Sequence, residues 1–305
     1  MAEKKQAEEV MVDVDGRTLK ISNLSKVMYP TTGTTKGEVL NYYARVAPVL
    51  LPHLADRAVT RIRWPHGTGD MQFFEKNLPS GAPSWLRSVT VPSTGSRGGG
   101  DKISYPIIDG LADLTYFANL ASLELHVHQW TVGRNGRPKN PNRMVIDLDP
   151  GSPAGLRECC EVAMLVRDKL AERGLSSAPV TSGSKGLHMY AALPGRSNTD
   201  EVRDQAQEIA QELTGEVPKL VVWKMTKSLR GGKVFLDWSQ NTGAKTTISP
   251  YSLRGRDRPY VAAPRTWAEI EEGAEDGLDQ LALDEVLARV DEHGDIFGDL
   301  LESGA

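Results

Sequence analysis

Residues 144–151 read MVIDLDPG, and their alternation leaves little freedom in how the chain around them can fold. Side chains at i and i+2 of a strand share a face, so Met144, Ile146 and Leu148 point one way while Asp147 and Asp149 point the other. Such a strand needs a sheet with one covered face and one polar face. Two carboxylates held side by side repel, and a divalent cation that neutralises both is the simplest way to keep them there. A second reading stays open at this point: the strand ends at Pro150-Gly151 and one Asp caps the next helix. Ser152 as N-cap and Pro153 as the first helical residue then predict a helix running through LRECCEVAMLVRDKLAERG to Gly174.

The rest of the chain alternates short strand and helix patterns. VMVDVDGRTLKIS reads as two strands joined at Asp15-Gly16, GEVLNYYARVAPVLLPHL has helical periodicity from Lys36, and VTRIRW alternates like a strand. SLELHVHQW, APVTS, LHMYAAL and KVFLDW read as further strands, and TDEVRDQAQEIAQELTG as a helix. The Gly- and Ser-rich stretch between Pro92 and Pro106 predicts a mobile surface loop over Ser93 to Tyr105. The length allows one large core or two modest ones, and the first ten or so residues are polar.

Of the 305 residues 39% are hydrophobic, which suits a packed core, but no apolar run approaches the roughly 20 residues of a membrane span. The opening MAEKKQAEEV has no signal-peptide core, so the expectation is a cytoplasmic protein without a membrane partner. Cys159 and Cys160 are adjacent in a helical stretch, a spacing that suits neither a bridge nor zinc, and they read as idle buried thiols. The net charge of −4 cannot hold a polyanion globally, so any nucleic-acid site must be local. Residues 223–258 carry eight Lys or Arg against Asp237 and Asp257, whereas residues 265–305 carry thirteen acids and two bases. The first segment is a candidate phosphate surface, with a merely solvated surface as the alternative.

Asp237, between large apolar residues in KVFLDW, is costly to bury without a cation or a donor. With Asp147 and Asp149 it would complete three carboxylates able to hold two Mg²⁺ or Mn²⁺ ions, the arrangement that serves nucleotidyl transfer. The turn TSGSKGLH offers hydroxyls, the Lys185 ammonium, the His188 imidazole and glycine-freed N–H groups to an anion, or is an ordinary β-turn. It is not a Walker A loop. Arg254, Lys227 and Lys245 could reach phosphates. Phe73 and Phe74 are consecutive, so a strand would send one to the core and leave one free to stack on a base. His126 and His128 share a strand face, as phosphate contacts or as structural histidines.

Taken in order, DLDPG, TSGSKGLH and VFLDWSQN closely resemble the three motifs of the polymerase domain of bacterial ligase D, in the archaeo-eukaryotic primase superfamily. The likeness continues through SKVMYP, GTTKGEV, RIRWP, FFEKN, SLELH, SPYSLRGR and VAAPRTW, and so covers nearly the whole chain. The resemblance implies an α+β fold in one domain over residues 12–300, with flexible ends at 1–11 and 301–305, a primase-like catalytic sheet built as an RNA-recognition-type palm, flanking helices and a second small sheet. It implies that Asp147, Asp149 and Asp237 are the catalytic, metal-binding acids for two Mn²⁺ or Mg²⁺ ions. Ser182, Lys185, His188 and Arg254, joined by His126, Lys227 and Gln240, would bind the NTP or dNTP. Lys26 and Lys36 would receive a 5′-phosphate across a gap, Phe73 and Phe74 would stack on template bases, Arg63 would lie near the primer, and the 93–105 loop would help join two ends. His128 departs from the family pattern.

The implied function is a DNA-end-directed nucleotidyltransferase that fills short gaps, with NTPs preferred, during non-homologous end joining at the nucleoid. Its partners would be gapped or overhanging DNA with a 5′-phosphate, an ATP-dependent DNA ligase and the bacterial Ku protein. Neither a ligase lysine motif nor a nuclease histidine set is visible here. The competing class is a non-catalytic DNA-end-binding and synapsis module, with a metal-dependent phosphoesterase further off.

Overall fold

The computed structural model describes residues 9–92 and 102–298. A hairpin of β1 (Glu9–Val14) and β2 (Arg17–Ser22) comes first, turned at Asp15-Gly16 with both φ angles positive, the twist that a two-residue hairpin loop favours. The short strands β3 (Val27–Tyr29) and β4 (Thr34–Thr35) lead into α1 (Lys36–Leu54), started by a reciprocal capping box between Thr35 and Glu38. There follow β5 (Val59–Arg63), β6 (Phe73–Glu75), β7 (Ser88–Pro92), β8 (Lys102–Pro106), α2 (Leu111–Asn119) and β9 (Ser122–Val127). After β10 (Trp130–Val132) and β11 (Pro138–Pro141) come β12 (Arg143–Pro150), α3 (Leu156–Glu172), β13 (Ser177–Thr181), β14 (Leu187–Ala192) and α4 (Thr199–Glu216). The described chain closes with β15 (Val221–Val222), β16 (Val234–Asp237), β17 (Thr247–Ile248), β18 (Ala263–Pro264), α5 (Trp267–Asp276) and α6 (Leu283–His293).

Two sheets organise the molecule. The larger has the order β15-β16-β12-β14-β13-β18 and is antiparallel except for the β15–β16 pair; the smaller is the antiparallel β17-β9-β5-β6. One face of the larger sheet, with Met144, Ile146, Leu148, Leu187, Met189 and Leu236, is buried under α3, α4 and α5. The smaller sheet buries Val59, Leu123, Leu125 and Val127 against α1, α2 and α6. Between the sheets Val145, Val180 and Tyr190 meet Ile248, and the Tyr190 hydroxyl donates to the Ile248 carbonyl at 3.0 Å. The same face of β12 therefore runs from apolar Val145 to the two acids, and the expected α+β architecture with a mixed central sheet and a second sheet is present.

Three local expectations are corrected. The helix after β12 starts at Leu156 rather than Ser152, because the Gly151 carbonyl accepts from Ala154 and Gly232 and the Ser152 carbonyl from Gly232; Glu158 then folds back onto the Gly155 N–H. Its end is as expected: Gly174 takes a positive φ and Leu175 N–H bonds the Leu170 carbonyl, a Schellman arrangement. Lys102–Tyr105 are not loop but lie in β8, paired with β7, while residues 93–101 of the expected loop lie outside the described residues. Glu9–Met11, expected in the flexible tail, belong to β1; the expected C-terminal tail at 301–305 lies outside the described residues. Cys159 and Cys160 are buried, unbridged thiols. Among the described residues no helix is long and apolar enough to cross a membrane.

Candidate active site

The ladder register aligns the acids. Asp147 on β12 lies directly opposite His188 of β14 on one side and Asp237 of β16 on the other, so the three form one row across the sheet, facing the second sheet. His188 Nε2 is 3.3 Å from Asp147 Oδ1. Asp149 stands two residues further along, opposite Phe235. Although Asp149 is open to solvent on one side, the surrounding protein, Asp147 and Asp237 push its carboxyl up to about 6, against the offsetting charges of His188 and Arg230. Asp237 accepts from the Ser239 N–H at 3.0 Å, from the Ser239 hydroxyl and from Gln240 Nε2 at 2.9 Å, with the Lys245 ammonium 3.8 Å away. Gln240 and Lys245 thus hold Asp237.

Arg230 belongs to this row although its sequence signal was only its place in the basic segment. Its guanidinium stacks 3.6 Å from the Phe235 ring, beside Asp149. The 230–233 segment comes this close because residue 151 is glycine: a Cβ there would sit 2.1 Å from the Arg230 carbonyl oxygen. Lys227 is exposed in the preceding 3-10 turn, and no contact ties it to the acids.

The 182–188 turn is wedged between the acid strand and Arg254. A Cβ on Gly186 would lie 2.1 Å from the Leu148 carbonyl, and one on Gly183 would lie 2.5 Å from Arg254 Cγ. Its N–H groups are largely used internally. Ser182 Oγ accepts from Ser184 and Gly186, and Gly183 N–H is taken by Gln280. Buried Ser182 shapes the turn, whereas Lys185 is exposed at its apex.

Arg254 and His126 meet at a residue that sequence reasoning passed over. Glu124 Oε2 lies 3.1 Å from Arg254 Nη1 and 2.7 Å from His126 Nε2, and Oε1 accepts the Gly255 N–H at 2.9 Å. His128 does not share this surface. It lies beyond the end of β9, stacked 4.3 Å from Trp130 and edge-on to Tyr105, with burial pushing its imidazole down to about 4. It is a core histidine.

Lys26 and Lys36 do converge. Lys36 is buried, donating to the Ser22 carbonyl at 2.6 Å and Asn119 Oδ1 at 2.7 Å; burial, followed by the like charge of Lys26, pulls its ammonium down to about 8. Lys26 donates to the Pro65 carbonyl. Next in the chain is Trp64, whose ring lies flush on Gly255, so the lysine pair is continuous with the Arg254 side of the acids. Arg63 donates to the Leu120 carbonyl and Glu75, both at 2.6 Å. Phe73 and Phe74 are both exposed, at 43% and 59%, not one in and one out as expected; β6 is the edge strand of its sheet. The register sets Phe74 beside Ile62, itself beside Glu124, on the face that carries His126.

Residues 35–297 match the family model for the LigD primase-polymerase domain. The chain belongs to the LigD primase-polymerase domain family. The multifunctional non-homologous end joining protein LigD of Mycolicibacterium smegmatis is 49% identical over 282 residues, 92% of this chain and 36% of that protein. The bifunctional LigD of Bacillus subtilis is 32% identical over 92% of this chain and 44% of its own length, so the chain spans less than half of either relative. The polymerase domain of Mycobacterium tuberculosis ligase D, solved in complex with DNA, matches with a TM-score of 0.87 at 48% identity, covering 92% of this chain and 97% of that one.

In this LigD primase-polymerase domain the acid row suits hard divalent cations. Its three acids offer carboxylate oxygens, and burial followed by the charge of Asp147 lifts Asp149. Among the described residues no trio of His, Cys, Asp and Glu stands in finished coordinating geometry, and Asp237 is held by Ser239 and Gln240 instead.

Proposed function

We propose that this LigD primase-polymerase domain is a metal-dependent nucleotidyltransferase that extends DNA ends and fills short gaps, with ribonucleotides preferred, during non-homologous end joining. The observation that carries this reading is the single row His188–Asp147–Asp237 with Asp149 beside it. A non-catalytic synapsis module gains nothing from three carboxylates gathered on one sheet face, where burial and then Asp147 push Asp149 up to about 6.

Asp147, Asp149 and Asp237 would hold Mn²⁺ or Mg²⁺, which when bound stabilises the attacking and leaving oxygens of phosphoryl transfer. Gln240 and Lys245 set the Asp237 carboxylate, and His188 that of Asp147. Arg254, His126 and the exposed Lys185 face the incoming triphosphate, Ser182 shapes the turn beneath it, and Lys227 lies at the mouth. Lys26 and Lys36 take the 5′-phosphate of the downstream strand, with Arg63 toward the primer. An ATP-dependent ligase, in the same or a separate chain, would seal the filled gap, and Ku would deliver the ends.

Primer extension on a one-nucleotide gap with Mn²⁺ tests this. Extension should occur with the complementary NTP, less efficiently with the dNTP, and stop with EDTA; a site that hydrogen-bonds the 2′-hydroxyl leaves its groups unpartnered with a deoxy sugar. Equal efficiency with both removes the ribonucleotide preference, and EDTA-resistant extension removes the metal.

The exposed phenylalanines give a second expectation. Base stacking on an aromatic is worth about 1–3 kcal/mol by alanine substitution. Phe73→Ala with Phe74→Ala should therefore weaken binding to gapped or overhanging DNA about tenfold, with the melting temperature unchanged because both rings are exposed. Fluorescence anisotropy with gapped and blunt duplexes checks it; an equal loss on both would reject stacking on unpaired template bases.

A further inference from the structure

Glu124 is buried, at 5% exposure, and has no hydrogen bond to the three acids, yet two groups on the triphosphate side of the site end on it. Burial alone would lift its carboxyl, but the His126 hydrogen bond, the Arg254 charge and the Gly255 N–H outweigh this and bring it down to about 2. It is an anion throughout the working pH range, so His126 Nε2 donates to it. Arg254 is gripped twice, its stem against Gly183 and Nη1 on Glu124, while its buried Nε has no protein partner among the described residues. Gly255, which follows it, is fixed by the Glu124 bond and the Trp64 ring.

We propose that Glu124 is a positioning residue for the nucleotide: one buried carboxylate locks Arg254 and His126 in the orientation in which they meet the triphosphate. This rests on the polymerase reading above. A guanidinium held in place loses less freedom on binding than a mobile one. A purely electrostatic view gives the opposite sign, because a carboxylate near a triphosphate repels it and its neutralisation would tighten binding. The sign of the effect therefore decides.

The test is single-nucleotide incorporation on gapped DNA by wild type, Glu124→Gln, Arg254→Ala and the double variant, with DNA affinity and melting temperature measured alongside. Glu124→Gln should raise KM for the NTP about tenfold, with kcat and DNA affinity changing less than about threefold. In the Arg254→Ala background the same substitution should raise KM at least threefold less, because residues acting through one another are non-additive. An unchanged or lower KM, or an undiminished effect without Arg254, overturns the proposal. If Glu124→Gln does not fold, Glu124→Asp keeps the charge but falls one methylene short, and is read by the same criteria. A wild type that adds no nucleotide rejects the polymerase reading and this inference together, whereas an active wild type with a neutral Glu124→Gln rejects this inference alone.

Discussion

Replacing Asp147 with Ala is expected to lower nucleotide incorporation about a thousandfold or more, roughly 4 kcal/mol of barrier, while affinity for gapped DNA changes by less than about twofold. Asp147 is the centre of the row, opposite both His188 and Asp237, so no neighbouring carboxylate can take its place. DNA affinity is expected to rest instead on lysine and arginine contacts to phosphates. The variant should melt close to wild type, because the lost His188 contact is offset by removal of a like charge beside Asp149, whose carboxyl burial and then Asp147 raise. Single-turnover extension, anisotropy and a thermal melt separate the outcomes. Extension at near wild-type rates would remove Asp147 from the chemistry, and joint loss of DNA binding and folding would make its role structural.

The second large effect concerns the DNA end. Lys26→Ala with Lys36→Ala should lower affinity for gapped DNA bearing a 5′-phosphate by about tenfold or more, or 1.4 kcal/mol, and barely change it for a 5′-hydroxyl. A terminal phosphate carries more charge than an internal diester, and two lysines meet it as paired point charges. Lys36 is buried with two hydrogen bonds, so the melting temperature is measured in parallel, with Lys36→Met keeping the apolar stem.

The same pair sets a pH dependence. A terminal phosphate loses its second proton near pH 6, so its charge is nearly constant from pH 7 to 9. The Lys36 ammonium, lowered to about 8 by burial and then by Lys26, is charged below that pH and neutral above it. Binding favours the charged form, so the 5′-phosphate preference should shrink as pH rises from 7 to 9 in wild type and stay flat in the double variant. Titrations at one salt concentration measure it; a flat wild-type preference would mean that Lys36 does not meet the phosphate.

Much of the acid face is legible in the strand pattern. Alternation in MVIDLDPG suffices to put Asp147 and Asp149 on one side, because strand periodicity is local. That Asp237 lands opposite Asp147 is a register between strands some ninety residues apart, and no local pattern contains it. Helix ends show the same divide. Gly174 ends α3 as its type suggests, whereas Ser152-Pro153 does not start it, because the Gly151 and Ser152 carbonyls are claimed by the distant Gly232.

Among site residues, Glu124 could have been found. A carboxylate between large apolar residues is the signal at Asp237, and Leu123-Glu124-Leu125 carries the same signal beside the histidines at 126 and 128. Arg230 could not have been singled out among eight bases, since its closeness to Asp149 depends on Gly151 admitting a loop 80 residues later. The Gly-rich turn could be read from sequence either as an anion site or as an ordinary β-turn. Its N–H groups are spent on Ser182 Oγ and Gln280, and its glycines serve close packing against Leu148 and Arg254. Phe73 and Phe74 depart from alternation on β6, an edge strand on which both rings are exposed.

The most direct test of the acid row is Mn²⁺ binding read by electron paramagnetic resonance, on wild type, Asp147→Asn and Asp237→Asn, in the presence of NTP. Asn keeps the side-chain volume and removes the charge, so folding is not the variable. Wild type should bind Mn²⁺ with either substitution weakening it about tenfold or more; three proteins that bind Mn²⁺ alike would contradict the assignment of Asp147 and Asp237 as partners in one cation site.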